Sequence, residues 1–391
     1  MDVSELRELL STDGLRLLDS LEPYESAADV VRTVAELRKA GHSPTLVAAV
    51  LTQSKLRAKA VGKFGPFAER MLFTEAGLEQ ATRLRVAAMH AGRFRAAGLT
   101  RIADLGSGIG ADALALAGID LEVTAVERDE VTAAIAVYNL APWPNATVIN
   151  DDATSVDLSG FDGVYLDPAR RSNDRRLSNP ADWSPPLDFA FGLDLPTGVK
   201  LGPGIDRDLI PAGWEAQWVS VDHEVVELGV WSGPLARPGI GRAALVLGAH
   251  GTAELTAGSD SADEPAGELG QFVYEPDGAV IRARLIGDLA RQLDARMLHH
   301  QIAYLTAEKA VQSPFATCFR IVETFSLDER TLKRELKARG IGTLEIKKRG
   351  VDIDPASFRK RLSPSGPNSA TLILTRLGER RVALLAERVV F

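Results

Sequence analysis

A glycine-rich turn between an apolar run and a helical pattern constrains the fold of this 391-residue chain more than any other segment. The segment is Arg101–Gly110, RIADLGSGIG, and the helical pattern ADALALAG follows it. Glycines at such a turn let a ligand approach the backbone, because no Cβ stands in the way. The next apolar run ends at Glu127, the place where a βαβ unit presents a carboxylate to ribose hydroxyls. We therefore expect a βαβ unit with a ligand at the turn.

Two ligands suit this turn, and Asp104 helps to choose between them. Gly106-x-Gly108-x-x-Ala111 satisfies the loose dinucleotide fingerprint, which keeps an NAD-linked oxidoreductase open. Asp104 comes two residues before the first glycine, and we place it at the mouth of the site. A carboxylate there repels a pyrophosphate but suits a ligand with an ammonium and a sulfonium, and S-adenosylmethionine is that ligand. The predicted cofactor is thus S-adenosylmethionine, with these binding residues: Asp104, Gly106, Ser107, Gly108 and Glu127.

The middle of the chain predicts an α/β core. Apolar runs alternate with helical patterns at Arg101–Leu105, Leu121–Val126, Ala146–Ile149 and Gly163–Leu166. This alternation is typical of a parallel sheet with helices on both faces. The predicted domains are a helical N-terminal domain at 1–97, a Rossmann-like core at 98–249, an acidic linker or mobile hairpin tip at 250–270 and an α+β module at 271–391. Within the last of these, the apolar spacing over Ala279–Leu298 predicts one amphipathic helix.

The fourth run leads directly into Asp167-Pro168-Ala169-Arg170-Arg171. This order resembles the Asp/Asn-Pro-Pro-aromatic motif of methyltransferases that modify nitrogen atoms. The resemblance implies that the Asp167 carboxylate and the Pro168 carbonyl accept hydrogen bonds from the target nitrogen. The match is partial, because Ala169 replaces the second proline and Arg170 replaces the aromatic residue. Arg170 and Arg171 instead suit a phosphate, and an ion-paired loop is the alternative.

Positive charge is concentrated near the end of the chain. Residues 320–391 hold 16 Lys and Arg against 9 Asp and Glu, whereas the whole chain carries a net charge of −8. A basic module on an acidic body is typical of a nucleic-acid-binding appendage, and a solvated basic surface is the alternative. Lys347, Lys348 and Arg349 are the predicted RNA contacts in this module. A second candidate is Ser54–Phe73, where basic residues interleave with phenylalanines, although a helical core explains that pattern better.

These motifs together resemble one known family. The LDPARR segment, the helical N-terminal part and the basic α/β C-terminal module are similar to bacterial class I methyltransferases with a THUMP-like C-terminal domain. The N-terminus MDVSELRELL has no basic region and no long apolar core, so we expect a cytoplasmic protein. The resemblance implies an S-adenosylmethionine-dependent methyltransferase that acts on a nitrogen of a base in tRNA or rRNA. It also implies that Asp152 and Ala153, after the third strand, contact the adenine. A catalytically idle RNA-binding scaffold remains the alternative, and an oxidoreductase is the less favoured one.

Composition excludes several other classes of protein. The chain is 45% hydrophobic and 25% charged, which is ordinary for a globular protein. Its single cysteine, Cys318, excludes an internal disulfide and a cysteine-rich zinc site. We expect no membrane segment, because no run approaches about 18 apolar residues. We expect no metal site either, since adjacent His299 and His300 have no partner at a suitable spacing.

Overall fold

The computed structural model describes residues 1–21, 27–169, 171–172, 175–176, 179–249 and 251–391. The chain forms two compact units, residues 1–201 with 230–236 and residues 202–229 with 237–391. The first unit runs across the domain boundary predicted at residue 97. One apolar core explains this, because it includes Phe64 and Phe94 of the N-terminal helices together with Ile102 of the first strand.

The α-helices follow one another along the described chain with these bounds: α1 Val3–Leu9, α2 Thr12–Ser20, α3 Ala27–Lys39, α4 Pro44–Phe64, α5 Glu75–Gln80, α6 Leu84–Ala96, α7 Ala111–Ala117, α8 Glu130–Leu140, α9 Leu187–Phe191, α10 Gly278–Arg282, α11 Ile286–Gln292, α12 Glu329–Ala338 and α13 Pro355–Leu362. Polar caps explain many of the starts, since the side chains of Ser11, Ser43 and Thr74 each accept a backbone N–H of the first turn. Pro44 then occupies the first turn of α4, where its missing N–H is not needed.

The strands have these bounds: β1 Arg101–Leu105, β2 Glu122–Val126, β3 Ala146–Ile149, β4 Gly163–Leu166, β5 Arg171–Ser172, β6 Arg175–Arg176, β7 Thr197–Leu201, β8 Glu215–Val221, β9 Glu224–Trp231, β10 Arg242–Gly248, β11 Gly251–Ala257, β12 Phe272–Pro276, β13 Arg296–His299, β14 Ile302–Ala307, β15 Ala316–Ser326, β16 Ile341–Lys348, β17 Asn368–Leu377 and β18 Arg380–Arg388. One sheet has the order β11-β10-β8-β9-β7-β4-β1-β2-β3, and a second has the order β13-β14-β12-β15-β18-β17-β16. The predicted α/β class is confirmed.

In the first unit, β1 lies between β4 and β2 and is parallel to both. The strands β3 and β7 continue the parallel pairing on either side. The register aligns their carboxyl ends, because Leu105 is opposite both Val126 and Leu166. The residues that follow these three strands therefore lie at the same edge of the sheet, which is where open α/β sheets bind ligands.

In the second unit, the seven-stranded sheet is covered by apolar side chains on both faces. Its neighbouring strands pair in antiparallel fashion except β16 and β17, which are parallel and are connected through α13. Alternate residues of β17 serve different cores, since Leu372 and Leu374 pack with the helices whereas Ile373 joins the cluster on the other face. Cys318 of β15 is a free cysteine and is buried, as is typical of a small apolar side chain.

Two predicted segments differ from the structure. The stretch expected to be a linker contains β11, which pairs with β10 in antiparallel fashion. The helix predicted over Ala279–Leu298 is instead α10, α11 and the strand β13. Arg284 and Asp294 explain the breaks, because their φ angles of 61° and 50° lie in the left-handed region, which no right-handed helix contains.

Neither a membrane span nor a metal cluster occurs in the described part of the chain. None of its helices is both long enough and apolar enough to cross a membrane. Within the same ranges, no three His, Cys, Asp or Glu residues are grouped in a way that could hold a metal ion.

Candidate active site

The glycine turn after β1 adopts a backbone that side chains other than glycine rarely allow. Gly106, Gly108 and Gly110 have φ angles of 78°, 56° and 86°. The amides of Gly106 and Ser107 both donate to the Val126 carbonyl, at 2.9 and 3.0 Å, which ties the turn to the end of β2. A Cβ on Gly108 would meet no atom within 4 Å. The turn is therefore rigid where it joins the sheet and open where it faces the cleft.

Glu127 is fixed beside this turn by two backbone amides. Its carboxylate accepts hydrogen bonds from Gly108 N at 3.0 Å and Asp129 N at 2.9 Å. Burial raises the pKa of this carboxyl above its usual range, and the two amides oppose the shift. Both Glu127 and Gly108 line the cleft. The geometry presents a preoriented acceptor at the position where the sequence predicts a ribose contact.

Asp104 is buried under the turn and does not lie at the mouth of the site as expected. Only 1% of its surface is exposed, and neither carboxylate oxygen makes a hydrogen bond of normal geometry within the described ranges. Burial raises the pKa of Asp104 well above its usual range, and the charges of Asp112 and Asp167 raise it further, while Lys200 opposes them. An orphaned buried carboxylate is costly unless a ligand satisfies it.

These features fit the predicted cofactor. Ser107 Oγ, which is also buried, lacks a hydrogen-bond partner in the described structure, so the turn offers two unsatisfied polar groups. A cationic ligand above Asp104 would neutralise its charge, and ribose hydroxyls would suit Glu127. The donor set therefore matches a ligand with a sulfonium, an ammonium and a ribose.

The residues that follow β4 form another part of the cleft. Asp167 N donates to the Leu105 carbonyl at 3.3 Å, and a Cβ on Gly106 would lie 3.2 Å from the Asp167 carbonyl oxygen. The Asp167 side chain forms an ion pair with Lys200 of β7. Asp167 and Ala169 line the cleft, whereas Pro168 is buried outside its lining.

A buried polar chain runs from Lys200 into the N-terminal helices. Lys200 Nζ donates to Thr82 Oγ1 at 3.1 Å and to the Gln80 carbonyl at 3.2 Å. Thr82 Oγ1 in turn donates to Asp112 Oδ2 at 2.6 Å, and the other Asp112 oxygen lies 2.8 Å from His90 Nδ1. Burial is the largest influence on Asp112 and raises its pKa, but its bonds to His90, with the charge of Lys200 and the Thr82 hydroxyl, leave the pKa lowered.

Sequence reasoning missed most of this polar chain. Gln80 and Thr82 both line the cleft. His90, Asp112 and Lys200 were not singled out from the sequence. The signal present in the sequence was a lone charged residue inside an apolar element, namely Lys200 in TGVKL and Asp112 in ADALALA.

The residues after β3 are arranged differently from the prediction. Asp151 and Ala153 line the cleft, while Asp152 does not. Asp152 is exposed, and its Oδ1 accepts hydrogen bonds from Thr154 N at 2.8 Å and Thr154 Oγ1 at 2.6 Å. These bonds lower the pKa of Asp152 and give its carboxylate a local role in the turn. Of these two acids, Asp151 is the one that lines the cleft.

The predicted basic residues differ in how far the structure describes them and in how they are paired. Arg170 lies outside the described residues, and only the backbone of Arg171, in β5, is described. Lys347 pairs with Glu275 at 2.6 Å and with Glu345 at 3.4 Å, so its charge is compensated.

The neighbours of Lys347 differ from one another. The Arg349 guanidinium lies 5.5 Å from the Tyr304 ring centre, within cation–π range. Lys348 is exposed, which makes it the most accessible cation of the three.

The aromatic stretch of the N-terminal part behaves mainly as core. Phe64 and Phe73 are buried, and their ring centres lie 5.6 Å apart. Phe67 is partly exposed and stacks on Trp143, with 6.4 Å between ring centres. Two of the three phenylalanines are therefore unable to stack on a base, as the core interpretation predicts.

Comparison with known proteins identifies relatives of this chain. A family described as THUMP domain-like matches residues 316–388, and a domain family of unknown function matches residues 2–60. Two Mycobacterium tuberculosis proteins, from strains CDC 1551 / Oshkosh and H37Rv, are each named as an uncharacterised S-adenosylmethionine-dependent methyltransferase. Each is 33% identical over 337 residues, which cover 83% of this chain and 91% of the relative.

A solved structure shares the fold. It is a Porphyromonas gingivalis W83 protein whose assignment as a methyltransferase is provisional. The two chains superpose with a TM-score of 0.74 at 22% identity, and all of both chains is covered. At that identity, the likeness concerns the fold alone.

Proposed function

The chain belongs to the S-adenosylmethionine-dependent methyltransferases, and we propose that it methylates a nitrogen atom of a base in structured RNA. The observation that carries this proposal is the position of Asp167. It follows β4, lines the same cleft as Gly108 and Glu127, and is joined through its backbone to the end of β1. The proposed acceptor group is thus adjacent to the proposed cofactor site.

The cofactor is held by residues on three strand ends. Asp104 faces the cationic part of the ligand, Glu127 binds the ribose hydroxyls, and Asp151 with Ala153 contacts the adenine. The open backbone at Gly108 allows close approach of the ligand. Bound S-adenosylmethionine supplies an electrophilic methyl group. The protein contributes mainly by positioning the acceptor, which converts a bimolecular encounter into an oriented one.

Asp167 orients the acceptor nitrogen. An ionised carboxylate accepts a hydrogen bond from an N–H, and this contact directs the nitrogen lone pair into the cleft. The Pro168 carbonyl is the second proposed acceptor, by resemblance to the Asp-Pro motif. Asp167 also offers a site that takes up the proton lost from the nitrogen.

The RNA part of the proposal is supported by the C-terminal module. Residues 316–388 match a THUMP domain-like family, and residues 320–391 carry 16 cations against 9 acids. Such an excess attracts a phosphate backbone without reading its sequence. Lys348 is the exposed member of the predicted contact set. We assign the RNA-binding role to residues 271–391.

Methyl transfer to RNA tests the proposal. RNA from a strain that lacks the gene is incubated with the purified protein and labelled S-adenosylmethionine, and the nucleosides are analysed by mass spectrometry. We expect one nitrogen-methylated nucleoside. Asp167→Ala should lower kcat by about two orders of magnitude, as loss of a positioned acid–base group does, and leave adenosylhomocysteine affinity unchanged.

A matched control is Asp157→Ala. Asp157 is an exposed carboxylate that only holds the Ser159 turn, and it does not line the cleft. This variant should retain full turnover. Carbon methylation of the RNA would reject the nitrogen acceptor, and unchanged turnover of Asp167→Ala would reject the role of that residue.

A further inference from the structure

We propose that Lys200 is a positioning residue, which orients the Asp167 carboxylate and keeps it ionised for the acceptor nitrogen. The inference rests on the proposed function of Asp167. Lys200 occupies the fourth position of β7, and only 12% of its side chain is exposed. It is the one charged residue of a strand that is otherwise apolar or neutral, TGVKL. A lysine in such a strand needs a specific set of partners.

The contacts of Lys200 match the donors of an ammonium group. Its Nζ pairs with Asp167 Oδ2 and donates to Thr82 Oγ1 and the Gln80 carbonyl. An ammonium has three N–H donors and no acceptor, so these partners can engage all three protons. The three contacts come from two directions, the end of β4 and the C-terminal end of α5 with the residues that follow it. Lys200 therefore connects the acceptor side of the cleft to its helical wall.

Asp112, at the buried end of this series of polar side chains, sets the direction of the hydrogen bonds. Asp112 has a lowered pKa and is ionised, so it accepts the Thr82 hydroxyl proton at 2.6 Å. The Thr82 oxygen is then able to accept from Lys200 at 3.1 Å. Lys200 must consequently be a donor toward Asp167 as well. His90, at 2.8 Å from Asp112, anchors the chain at its far end.

Charge explains why Asp167 needs this partner. Among the described residues, Asp104 on β1 acts on Asp167 through its charge, and Lys200 on β7 forms an ion pair with it; Asp112 on α7 acts in turn on Asp104, and His90 on α6 is bonded to Asp112. Asp104 and Asp112 are buried and the Asp167 side chain is 29% exposed, and like charges grouped in this way disfavour ionisation of all three carboxyls. A protonated Asp167 would lose the charge-assisted hydrogen bond to an acceptor N–H. The Lys200 ammonium opposes this protonation.

A purely structural role for Lys200 is the competing explanation, and Lys63 provides the matched control for it. Lys63 Nζ donates to the carbonyls of Leu78, Glu79 and Ala81 at 2.8, 2.7 and 2.8 Å, and so holds the same wall of the cleft. If Lys200 only supports this wall, Lys200→Met and Lys63→Met should behave alike. If Lys200 acts on Asp167, they should differ in pH dependence.

The first measurement does not depend on any substrate. Carbon-13 NMR of aspartate-labelled, ligand-free protein follows the carboxyl titrations, and Asp167→Asn identifies the Asp167 signal. We expect Lys200→Met to move the titration midpoint of that signal upward by about one pH unit, the lower end of the effect of a nearby opposite charge. Lys200→Arg should restore most of the wild-type midpoint, and Lys63→Met should leave the midpoint unchanged. An unchanged midpoint in Lys200→Met would overturn the proposal.

The second measurement uses the methylation assay across pH 5–9. Lys200→Met should move the acidic limb of the kcat profile about one pH unit higher and so lower kcat about tenfold on that limb, because the ionised fraction there changes tenfold for each pH unit. Adenosylhomocysteine affinity and KM should stay within threefold. If the acidic limb of the Lys200→Met profile coincides with that of the wild type, Lys200 has only a structural role. If methylation is absent in the wild type while the NMR shift is present, the proposed function fails and the pairing of Lys200 with Asp167 stands.

Folding of the methionine variant is checked by thermal melting. If Lys200→Met does not fold, Lys200→Gln takes its place, since its amide keeps a donor and removes the charge. The expected midpoint shift is the same, and its absence counts equally against the proposal.

Discussion

At the scale of single residues, the buried acids Asp104 and Asp112 have opposite electrostatic environments. Asp104 has no hydrogen bond of normal geometry among the described residues, and its pKa is raised well above the usual range by burial and by Asp112 and Asp167. Asp112 is also buried, but His90, Lys200 and Thr82 lower its pKa. The Asp104 carboxylate therefore suits a cationic ligand, whereas Asp112 is already bonded to residues of the protein.

This contrast predicts opposite effects on stability. A raised carboxyl pKa means that the folded state binds more protons than the unfolded one, so stability falls as pH rises from the usual Asp range through the raised value. Asp104→Asn should therefore raise the free energy of unfolding of the ligand-free protein at pH 8, by about 1–3 kcal/mol, and have less effect at pH 5. Urea unfolding at both pH values measures this change.

Asp112→Asn is the control for that prediction. Its lowered pKa stabilises the fold above the usual Asp range, and this stabilisation is lost as pH falls through the folded value. The variant should be less stable than wild type at pH 8. Equal losses of stability in both variants would contradict the assignment of Asp104 as an unsatisfied group. Calorimetry should also show weaker S-adenosylmethionine binding by Asp104→Asn.

At the scale of elements, the turn between β1 and α7 is built for close contact with the end of β4. Gly106 has a φ of 78°, and a Cβ there would lie 3.2 Å from the Asp167 carbonyl oxygen. The turn and the acceptor residue are therefore packed against each other through backbone atoms. A substitution at Gly106 should therefore displace Asp167, although the two residues are distant in sequence.

Gly106→Ala tests this packing. We expect it to lower stability by about 1–3 kcal/mol, because a left-handed φ is strained for alanine and the oxygen must move. It should also lower kcat, since the backbone of Asp167 is displaced. Gly92→Ala is the matched control, since Gly92 lies inside α6 and a Cβ there would meet nothing within 4 Å. That variant should gain about 0.5–1 kcal/mol, as alanine is favoured within a helix. Thermal melts and initial rates measure both effects, and an equal response of the two variants would contradict the packing argument.

At the scale of the whole molecule, charge divides the chain into an acidic body and a basic end. Much of the basic surface is compensated locally, since Lys347 pairs with Glu275 and Glu345, and Arg361 pairs with Glu329 at 2.9 Å. The exposed Lys348 and Lys360 are better placed to meet a phosphate. The sequence alone weighted Lys347, Lys348 and Arg349 equally, because pairing across strands is not visible in it.

Charge reversal separates the two candidate RNA surfaces. Lys348→Glu with Lys360→Glu should weaken RNA binding and lower the slope of log affinity against log salt by about 0.7–0.9 for each phosphate that the protein no longer neutralises. Lys55→Glu with Lys59→Glu, on the exposed side of α4, is the matched pair with the same charge change. Binding is followed by fluorescence anisotropy with the full chain. A larger effect of the α4 pair would transfer the RNA-binding role to the N-terminal helices.

The order of motifs along the chain was enough to predict the Rossmann-like class and the family. Glycines at 106, 108 and 110 and an acid after β2 are local requirements of a nucleotide-type turn, so they are legible in the sequence. The breaks at Arg284 and Asp294 were missed, because residues other than glycine adopt a left-handed φ only where tertiary packing imposes it.

Tertiary structure alone decided which side chains meet in the cleft. The structure pairs Asp167 with Lys200, which is 33 positions away on β7, and no local pattern in the sequence predicts this contact. It also bonds the Asp152 carboxylate to Thr154, while Asp151 lines the cleft. Conformations that the local backbone requires can thus be predicted from the sequence. The pairing of buried charges depends instead on strand order and register, which bring together residues that no local pattern connects.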